Sequence, residues 1–221
     1  MQTTPLDQLN THTPSLQTPY NHQFTTNILM YIFSMLPSQF ALNMVQYEYE
    51  QVLPLIKPDD VFLVLGACES EWAYLFPHHR FIEYEPSPVE HFTRDNIERY
   101  NKAVVGDSIY HPTAWFYFTY NFPQASTLAY VPSRQHKPYN VECIRFSEVL
   151  SKHPEATVLF IDVESSEYDY DFSLIPDNIR FIHMEEHCLI CPERTLTVPG
   201  FRKTFKHGCA YGCELQHWER H

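Results

Sequence analysis

The chain has 221 residues, of which 44% are hydrophobic and 15% aromatic, which is enough for one α/β domain with a full apolar core. Its formal net charge is -12 at pH 7, and its 15 Lys and Arg residues are scattered, which argues against nucleic acid as the main ligand because a phosphate backbone would be repelled. Six cysteines without a secretion signal predict a reduced, cytoplasmic protein.

The first part of the chain divides into two segments. Residues 1–23 are rich in Gln, Thr, Asn and Pro with few apolar anchors, which predicts a disordered tail. In residues 24–56 apolar side chains recur at three- and four-residue steps, which predicts an N-terminal helical region. Its most apolar run, Ile28 to Leu36, is shorter than the roughly 20 residues that a membrane-spanning helix needs. We therefore predict no integral membrane segment.

Short apolar runs typical of buried strands recur through residues 57–190. Helical or irregular stretches separate them, and the clearest predicted helix is Glu90 to Tyr100. This alternation predicts an α/β fold with a mostly parallel central sheet and helices on both faces. The aromatic stretch Trp115 to Tyr120 is interpreted as an inserted strand or hairpin beside that sheet. The predicted strands are Val61–Leu65, Arg80–Tyr84, Lys102–Val105, Thr157–Ile161 and Asn178–Ile182.

Two residues at predicted strand ends suit a nucleoside ligand. In parallel sheets, ligands bind outside the carboxyl ends of the strands, where a glycine permits close backbone approach and an acid accepts ribose hydroxyl bonds. Gly66 follows the first predicted strand, and Glu85 follows the second. Their spacing alone is equally compatible with an ordinary turn glycine and a surface acid.

Five motifs occur in the order in which one enzyme family carries them. They are Gly66-Ala-Cys-Glu-Ser-Glu-Trp72, Glu85-Pro-Ser-Pro88, Asn101-Lys-Ala-Val-Val-Gly-Asp107, Ala125-Ser-Thr-Leu128 and Leu159-Phe-Ile-Asp-Val-Glu-Ser-Ser-Glu167. Over roughly residues 61–187 the chain resembles the FkbM-type methyltransferases, which mostly methylate sugar or other hydroxyls. The resemblance implies a Rossmann-like class I methyltransferase fold, S-adenosylmethionine as cofactor, and O-methylation of a small-molecule or saccharide hydroxyl.

The resemblance also implies site residues. The loop from Gly66 would approach the amino-acid end of the cofactor, Glu85 would bind its ribose, and Asp107 would lie near the adenine. Since a sulfonium is already a good leaving group, catalysis requires alignment and the removal of one hydroxyl proton. The cofactor-binding candidates are Gly66, Ala67, Cys68, Glu85, Pro86, Asp107 and Asp162. The catalytic candidates are Asp162, Glu164 and His187, of which His187 is a candidate base.

Four positions depart from the family pattern. Val64 stands where relatives have an acid, Phe160 replaces a lysine, and Ser70 and Ser165 replace glycines. Because serine does not tolerate every positive-φ geometry, a second interpretation remains: a catalytically inactive, methyltransferase-like binding or interaction protein.

The C-terminal segment, residues 191–221, is predicted to complete or flank the sheet. Cys188 and Cys191, followed by Cys209 and Cys213, have a spacing near that of a four-thiolate zinc site, in which a histidine such as His187 could replace one ligand. Unlinked thiols are the favoured alternative, so no metal ligand is assigned. Nothing in the sequence indicates the acceptor or the oligomeric state.

Overall fold

The structure is a computed structural model that describes residues 47–68, 70–87, 94–119, 127–128, 136–187, 195–208 and 213–221. The predicted tail at 1–23 lies outside these ranges, as does the predicted helical region up to residue 46. Of that region, residues 47–52 are helical and Leu53–Leu55 form a 3-10 turn. Among the described residues, no helix is long and apolar enough to cross a membrane.

The helices and strands have the following bounds. The strands are β1 (Val61–Leu65), β2 (Arg80–Tyr84), β3 (Ile97–Tyr100), β4 (Ala103–Val105), β5 (Thr113–Thr119), β6 (His136–Arg145), β7 (Val158–Ile161), β8 (Phe181–Glu186), β9 (Phe201–Gly208) and β10 (Glu214–Arg220). The α-helices after residue 52 are α1 (Glu71–Leu75) and α2 (Phe146–Lys152). Further 3-10 turns lie at Asp107–Ile109, Ser166–Asp169 and Phe172–Leu174.

The main sheet has seven strands in the order β3-β2-β1-β7-β8-β10-β9. The pairs from β3 to β8 are parallel, and β10 is antiparallel to both of its neighbours. A mostly parallel sheet of this order is α/β and Rossmann-like, which confirms the predicted fold class. It also brings the carboxyl ends of β1, β2 and β7 to one edge.

Strand β1 lies at the centre of the core because both of its faces are apolar. Leu63 and Leu65 pack in the cluster that contains the buried side chains of α2. Phe62 and Val64 point the other way, into the cluster that contains α1 and the helical residues 47–52. The period-two alternation of strand side chains thus places helices on both faces of the sheet, as predicted.

One predicted helix is wrong in its described part, and one predicted strand forms but belongs to a different sheet. Residues 97–100 form β3, parallel to β2, although the sequence predicts helix over Glu90 to Tyr100; residues 88–93 lie outside the described part. Cross-strand contacts outweigh the local pattern, since the Tyr100 ring stacks on Tyr84 at 4.7 Å. Because β3 occupies this edge, β4 belongs instead to a smaller sheet of order β4-β6-β5.

Two further segments refine the sequence prediction. The predicted aromatic strand is confirmed as β5, which pairs antiparallel with β6 beside the main sheet. Strand β8 begins later than predicted, because the Asn178 side-chain amide donates to the Pro154 carbonyl at 3.0 Å and fixes a turn there. In the parallel register Ile161 pairs with Met184, so Glu185 lies level with the residue that follows β7.

Candidate functional site

A cleft opens at the carboxyl edge of β1, β2 and β7, with β4 and β5 forming its far wall. It contains polar residues from the loops after the three main-sheet strands and apolar residues from the smaller sheet. Its lining is Gly66, Cys68, Tyr84, Glu85, Pro86, Ala103, Val104, Phe116, Thr127, Leu128, Asp162, Val163, Glu164 and Ser166. The cleft therefore collects five of the seven predicted cofactor-binding residues.

Gly66 is required by the close approach of two chain segments. Its φ is +81°, and a Cβ built there would lie 1.6 Å from the carbonyl oxygen of Asp162. Hydrogen bonds hold this contact on both sides, since the Gly66 amide donates to the Tyr84 carbonyl at 2.9 Å and the Asp162 amide donates to the Leu65 carbonyl at 2.9 Å. Only glycine fits here without moving the backbone.

Glu85 ties the two loops of the cleft together. Its Oε2 accepts from the Cys68 amide at 2.8 Å, and its Oε1 accepts from the Ser87 amide at 2.7 Å. The side chain is buried. A carboxylate has about four lone-pair positions, so two backbone bonds leave capacity for hydroxyl donors from the cleft. Glu85 can therefore position the loop and still accept ribose hydroxyls.

A buried network that the sequence did not reveal supports the same loop. Ser70 Oγ donates to Glu83 Oε2 at 2.5 Å, and Arg99 donates to Ser70 Oγ at 2.8 Å and to the Cys68 carbonyl at 2.7 Å. Glu83 is only 1% exposed, and burial raises its pKa, against the opposing effects of the Ser70 hydrogen bond and the Arg99 charge. The sequence signal that could have revealed this network is Glu83, because an acid inside an otherwise apolar strand needs a partner.

Val64, which stands where the FkbM-type enzymes have an acid, lies beside a residue that supplies a carboxylate. Val64 and Glu83 are partners in the parallel register of β1 and β2, so their side chains lie on the same face of the sheet. The Glu83 carboxylate then reaches Ser70 in the loop and forms an ion pair with Arg99 at 3.1 Å. An acid thus contacts this loop from the adjacent strand instead of from β1.

Ser70 and Ser165, which stand where the FkbM-type enzymes have glycines, adopt left-handed backbone conformations. Ser70 has φ 63° and Ser165 has φ 86°, and Glu164 beside it has φ 50°. The backbone shape that glycine favours is therefore kept despite the substitutions. The two serines differ in their side chains, because Ser70 Oγ belongs to the buried network whereas Ser165 Oγ is buried without a hydrogen-bond partner.

Phe160, which stands where the FkbM-type enzymes have a lysine, is a core residue. It is 2% exposed, and its ring lies edge-on to that of Trp72 at 4.8 Å. A lysine here would point into the aromatic cluster on the α1 side of the sheet. The substitution therefore adds packing in place of a charge at this strand.

Five ionisable residues surround His187 at the sheet edge. Its Nε2 lies 3.8 Å from Asp162 Oδ1, 3.8 Å from Glu164 Oε1 and 3.9 Å from Glu185 Oε1, and its ring also interacts with Cys213. On the other side, its Nδ1 lies 3.2 Å from Oε1 of Glu167, which also accepts from the His187 amide at 2.8 Å. The three predicted catalytic residues are thus brought together, although His187 does not line the cleft.

The carboxylates determine the charge state of His187. Burial lowers the pKa of its imidazole, but the hydrogen bonds with Cys213 and Glu167 and the charge of Asp162 outweigh burial and raise the pKa to about 12. With no other cation bound, the ring is protonated at neutral pH. A protonated imidazole cannot accept a proton, so its predicted role as base does not suit this charge state.

Neighbouring carboxyl groups hold their protons more tightly than usual. Desolvation and repulsion from Glu185 raise the pKa of Asp162 well above its usual range, with His187 opposing the shift. Since 46% of the Asp162 side chain is exposed, solvent screens part of this effect. Burial and repulsion from Glu185 also raise the pKa of Glu48, in the helical residues 47–52, to about 8. The raised pKa values thus result from burial and from the crowding of carboxyl groups at this end of the sheet.

Two predicted cofactor-binding residues lie outside the cleft lining. Ala67 is buried in the apolar cluster on the α1 side of the sheet. Asp107 contacts the start of α2, where its Oδ2 accepts from the Ser147 amide at 3.1 Å and its Oδ1 accepts from the Ser147 hydroxyl. This is the bonding of a helix-capping acid. Cys188, Cys191 and Cys209, the other members of the predicted cysteine cluster, lie outside the described residues.

Comparison with known proteins gives only distant matches. No family model and no curated sequence matches the chain. Among solved structures, the proposed methyltransferase yhhF from Escherichia coli aligns with a TM-score of 0.42 and 9% identity, over 80% of this chain and 84% of that one. An S-adenosylmethionine-dependent methyltransferase from Anabaena variabilis aligns with a TM-score of 0.40 and 11% identity, over 90% and 93%. At such TM-scores these likenesses carry no functional argument, and the fold class rests on the sheet order.

Proposed function

We propose that the protein is a cytoplasmic, FkbM-type methyltransferase that uses S-adenosylmethionine to methylate a hydroxyl of a small molecule or saccharide. The observation that carries the proposal is the contact between the Gly66 turn and the Asp162 backbone, with Glu85 beside it in one cleft at the carboxyl edge of the sheet. This is the edge at which α/β sheets bind nucleosides.

The chemistry of the lining fits the cofactor along its length. Glu85 retains acceptor positions for the two ribose hydroxyls. Apolar side chains of Val104, Phe116 and Leu128 offer a surface for an aromatic base. At the other end Asp162 and Glu164 provide negative charge, which favours a cationic sulfonium.

The proton of the acceptor hydroxyl needs a base near the reacting end. When bound, S-adenosylmethionine supplies a methyl group already activated on its sulfonium sulfur. Asp162 suits the role of base, since its carboxylate follows β7, lines the cleft and has a raised pKa. The imidazolium of His187, 3.8 Å from Asp162 Oδ1, would favour the ionised form of that carboxylate against burial and the charge of Glu185. Glu164 would help to orient the acceptor from the same turn.

Calorimetric titration with S-adenosylmethionine and S-adenosylhomocysteine tests the binding half of the proposal. Replacing Glu85 by Ala should weaken both ligands about 5- to 150-fold, equivalent to roughly 1–3 kcal/mol, because the ribose hydroxyls lose their charged acceptor. Glu142→Ala is the matched control, because its side chain is 69% exposed and belongs to the smaller sheet. Melting curves of each variant would show whether a loss of binding results from destabilisation of the loop that Glu85 holds.

The outcomes separate the possible functions. Binding followed by methylation of members of a hydroxyl-acceptor panel supports the enzyme. Binding without turnover of any acceptor favours the methyltransferase-like binding protein instead. If the wild-type chain binds neither ligand, or if Glu85→Ala binds as tightly as Glu142→Ala, the assignment of this cleft to the cofactor is wrong.

A further inference from the structure

Metal-binding atoms of three chemical types converge on His187. A nitrogen of its ring, one carboxylate oxygen of Glu185 and the Sγ of Cys213 all lie within 4.8 Å of one another. A ring nitrogen of His187 belongs to a second such group, with carboxylate oxygens of Asp162 and Glu164. The residues of the two groups come from distant parts of the sequence. Asp162 and Glu164 follow β7, Glu185 and His187 lie at the end of β8, and Cys213 precedes β10.

The carboxylate oxygens around His187 are spaced for a shared ion and not for direct hydrogen bonds to its ring. His187 Nε2 lies 3.8 to 3.9 Å from oxygens of Asp162, Glu164 and Glu185, beyond the range of a hydrogen bond. Ligands bonded to zinc at about 2.0–2.3 Å in a tetrahedron lie about 3.3–3.7 Å apart. A contraction of a few tenths of an ångström would therefore bring these oxygens to ligand spacing from Nε2, and Cys213 Sγ lies within 4.8 Å of the Glu185 and His187 ligand atoms.

An independent feature orients the histidine for this purpose. Glu167, which belongs to neither group, is 0% exposed and lies 3.2 Å from His187 Nδ1, while its Oε2 is buried without a hydrogen-bond partner. A carboxylate bound to one ring nitrogen fixes the tautomer of a metal-ligating histidine and directs the other nitrogen at the ion. Here it leaves Nε2 facing the two groups of ligand atoms, with only 7% of the side chain exposed.

We propose that His187, Glu185 and Cys213 form a divalent metal site, with Asp162 or Glu164 completing the coordination on the side of the cleft. The mixture of thiolate, imidazole and carboxylate favours zinc over magnesium or calcium, which prefer oxygen ligands only. Because Asp162 and Glu164 also line the cleft, the ion would lie at the edge of that cleft. This last point rests on the proposed function; the metal site itself does not.

Metal binding by the full-length, chelator-treated chain tests the site without any methyl donor. We expect one equivalent of Zn²⁺ in calorimetry and elemental analysis. The isosteric variants Glu185→Gln and Cys213→Ser should each weaken binding roughly 100-fold or more, and Glu167→Gln about 10- to 100-fold as an orienting residue. Glu142→Gln and Cys143→Ser, both in the smaller sheet, are the matched controls and should bind like the wild type.

Cobalt gives a second readout that unfolding cannot imitate. Co²⁺ bound through a thiolate has a sulfur-to-metal absorption band, which should be present in the wild type and absent in a folded Cys213→Ser variant. The four-cysteine alternative makes a different prediction, because Cys191→Ser would then abolish zinc binding and Glu185→Gln would not. That pattern would overturn the proposal, as would zinc binding retained in both Glu185→Gln and Cys213→Ser, or no stoichiometric zinc in the wild type.

Discussion

Replacing Ser165 by glycine should stabilise the protein. Ser165 follows β7 in the cleft turn with φ 86°, a left-handed conformation that is costly for residues with a Cβ. Its hydroxyl is buried and has no hydrogen-bond partner. Glycine would relieve the backbone strain and remove the unpaired polar group in one step.

The size of the effect follows from three contributions. A left-handed non-glycine residue costs about 1–2 kcal/mol, and a buried hydroxyl without a partner costs about 1–3 kcal/mol. Against these gains, glycine increases the entropy of the unfolded chain by an amount worth about 0.4–1 kcal/mol. These contributions sum to an expected net gain of about 1–4.5 kcal/mol. For a chain of this length that corresponds to a rise in melting temperature of roughly 2–18 °C.

Ser70→Gly provides a matched comparison, because Ser70 also has a left-handed backbone, with φ 63°. There the hydroxyl donates to Glu83 and accepts from Arg99, so glycine would leave two buried charged groups with fewer partners. Hydrogen bonds to charged groups contribute about 1.5–3 kcal/mol each. Their loss exceeds the relief of strain, and we expect net destabilisation by about 1–3 kcal/mol.

Chemical denaturation of the wild type and both variants would measure the two changes in the free energy of unfolding. The reasoning requires opposite signs, with Ser165→Gly above the wild type and Ser70→Gly below it. If both variants were stabilised equally, the network around Glu83 would contribute nothing. If Ser165→Gly were destabilised, the left-handed strain attributed to this turn would be wrong.

Two further changes test the core and the sheet edge. Gly66→Ala should lower the melting temperature and abolish cofactor binding, because its Cβ would lie 1.6 Å from the Asp162 carbonyl, whereas Gly208→Ala should be tolerated because no atom lies within 4 Å of its Cβ. His217 is buried, and burial lowers its pKa from 6.5 to about 4, so its contribution to stability is present above pH 6.5 and is lost as pH falls towards 4. Between pH 7 and 5 the free energy of unfolding of His217→Phe should therefore fall by about 2 kcal/mol less than that of the wild type. The exposed His111→Phe variant is the control and should follow the wild type. A fall for His217→Phe as steep as that of the wild type or the control would contradict this.

The sequence carried enough information for the centre of the sheet. The run from Val61 to Leu65 is apolar on every residue, which only a strand buried on both faces requires, and the glycine after it marks the turn. Glu85 lies in the cleft because a residue directly after a strand in a parallel sheet lies at the carboxyl edge, and its role towards ribose stays a prediction.

The errors arise where tertiary contacts outweigh local pattern. The sequence of Ile97 to Tyr100 does not predict a strand. Its charged residues are paired by contacts across the sheet, such as the ion pair between Arg99 and Glu83. The residues that surround His187 could not be predicted from the sequence either. The sequence groups Cys213 with three other cysteines, which lie outside the described residues, and the structure places it beside Glu185 and His187. Pairings of this kind depend on strand order and cannot be read from spacing.

The positions that differ from the FkbM-type motifs have different physical consequences and need not all weaken the site. At Ser70 and Ser165 the backbone keeps the left-handed geometry, at a strain of about 1–2 kcal/mol each. Ser70 offsets that strain through its bonds to Glu83 and Arg99, and Glu83 lies beside Val64, where the usual acid is missing. These changes therefore form one coupled unit around the loop. Ser165 has no such offset, which makes it the departure that most directly costs stability.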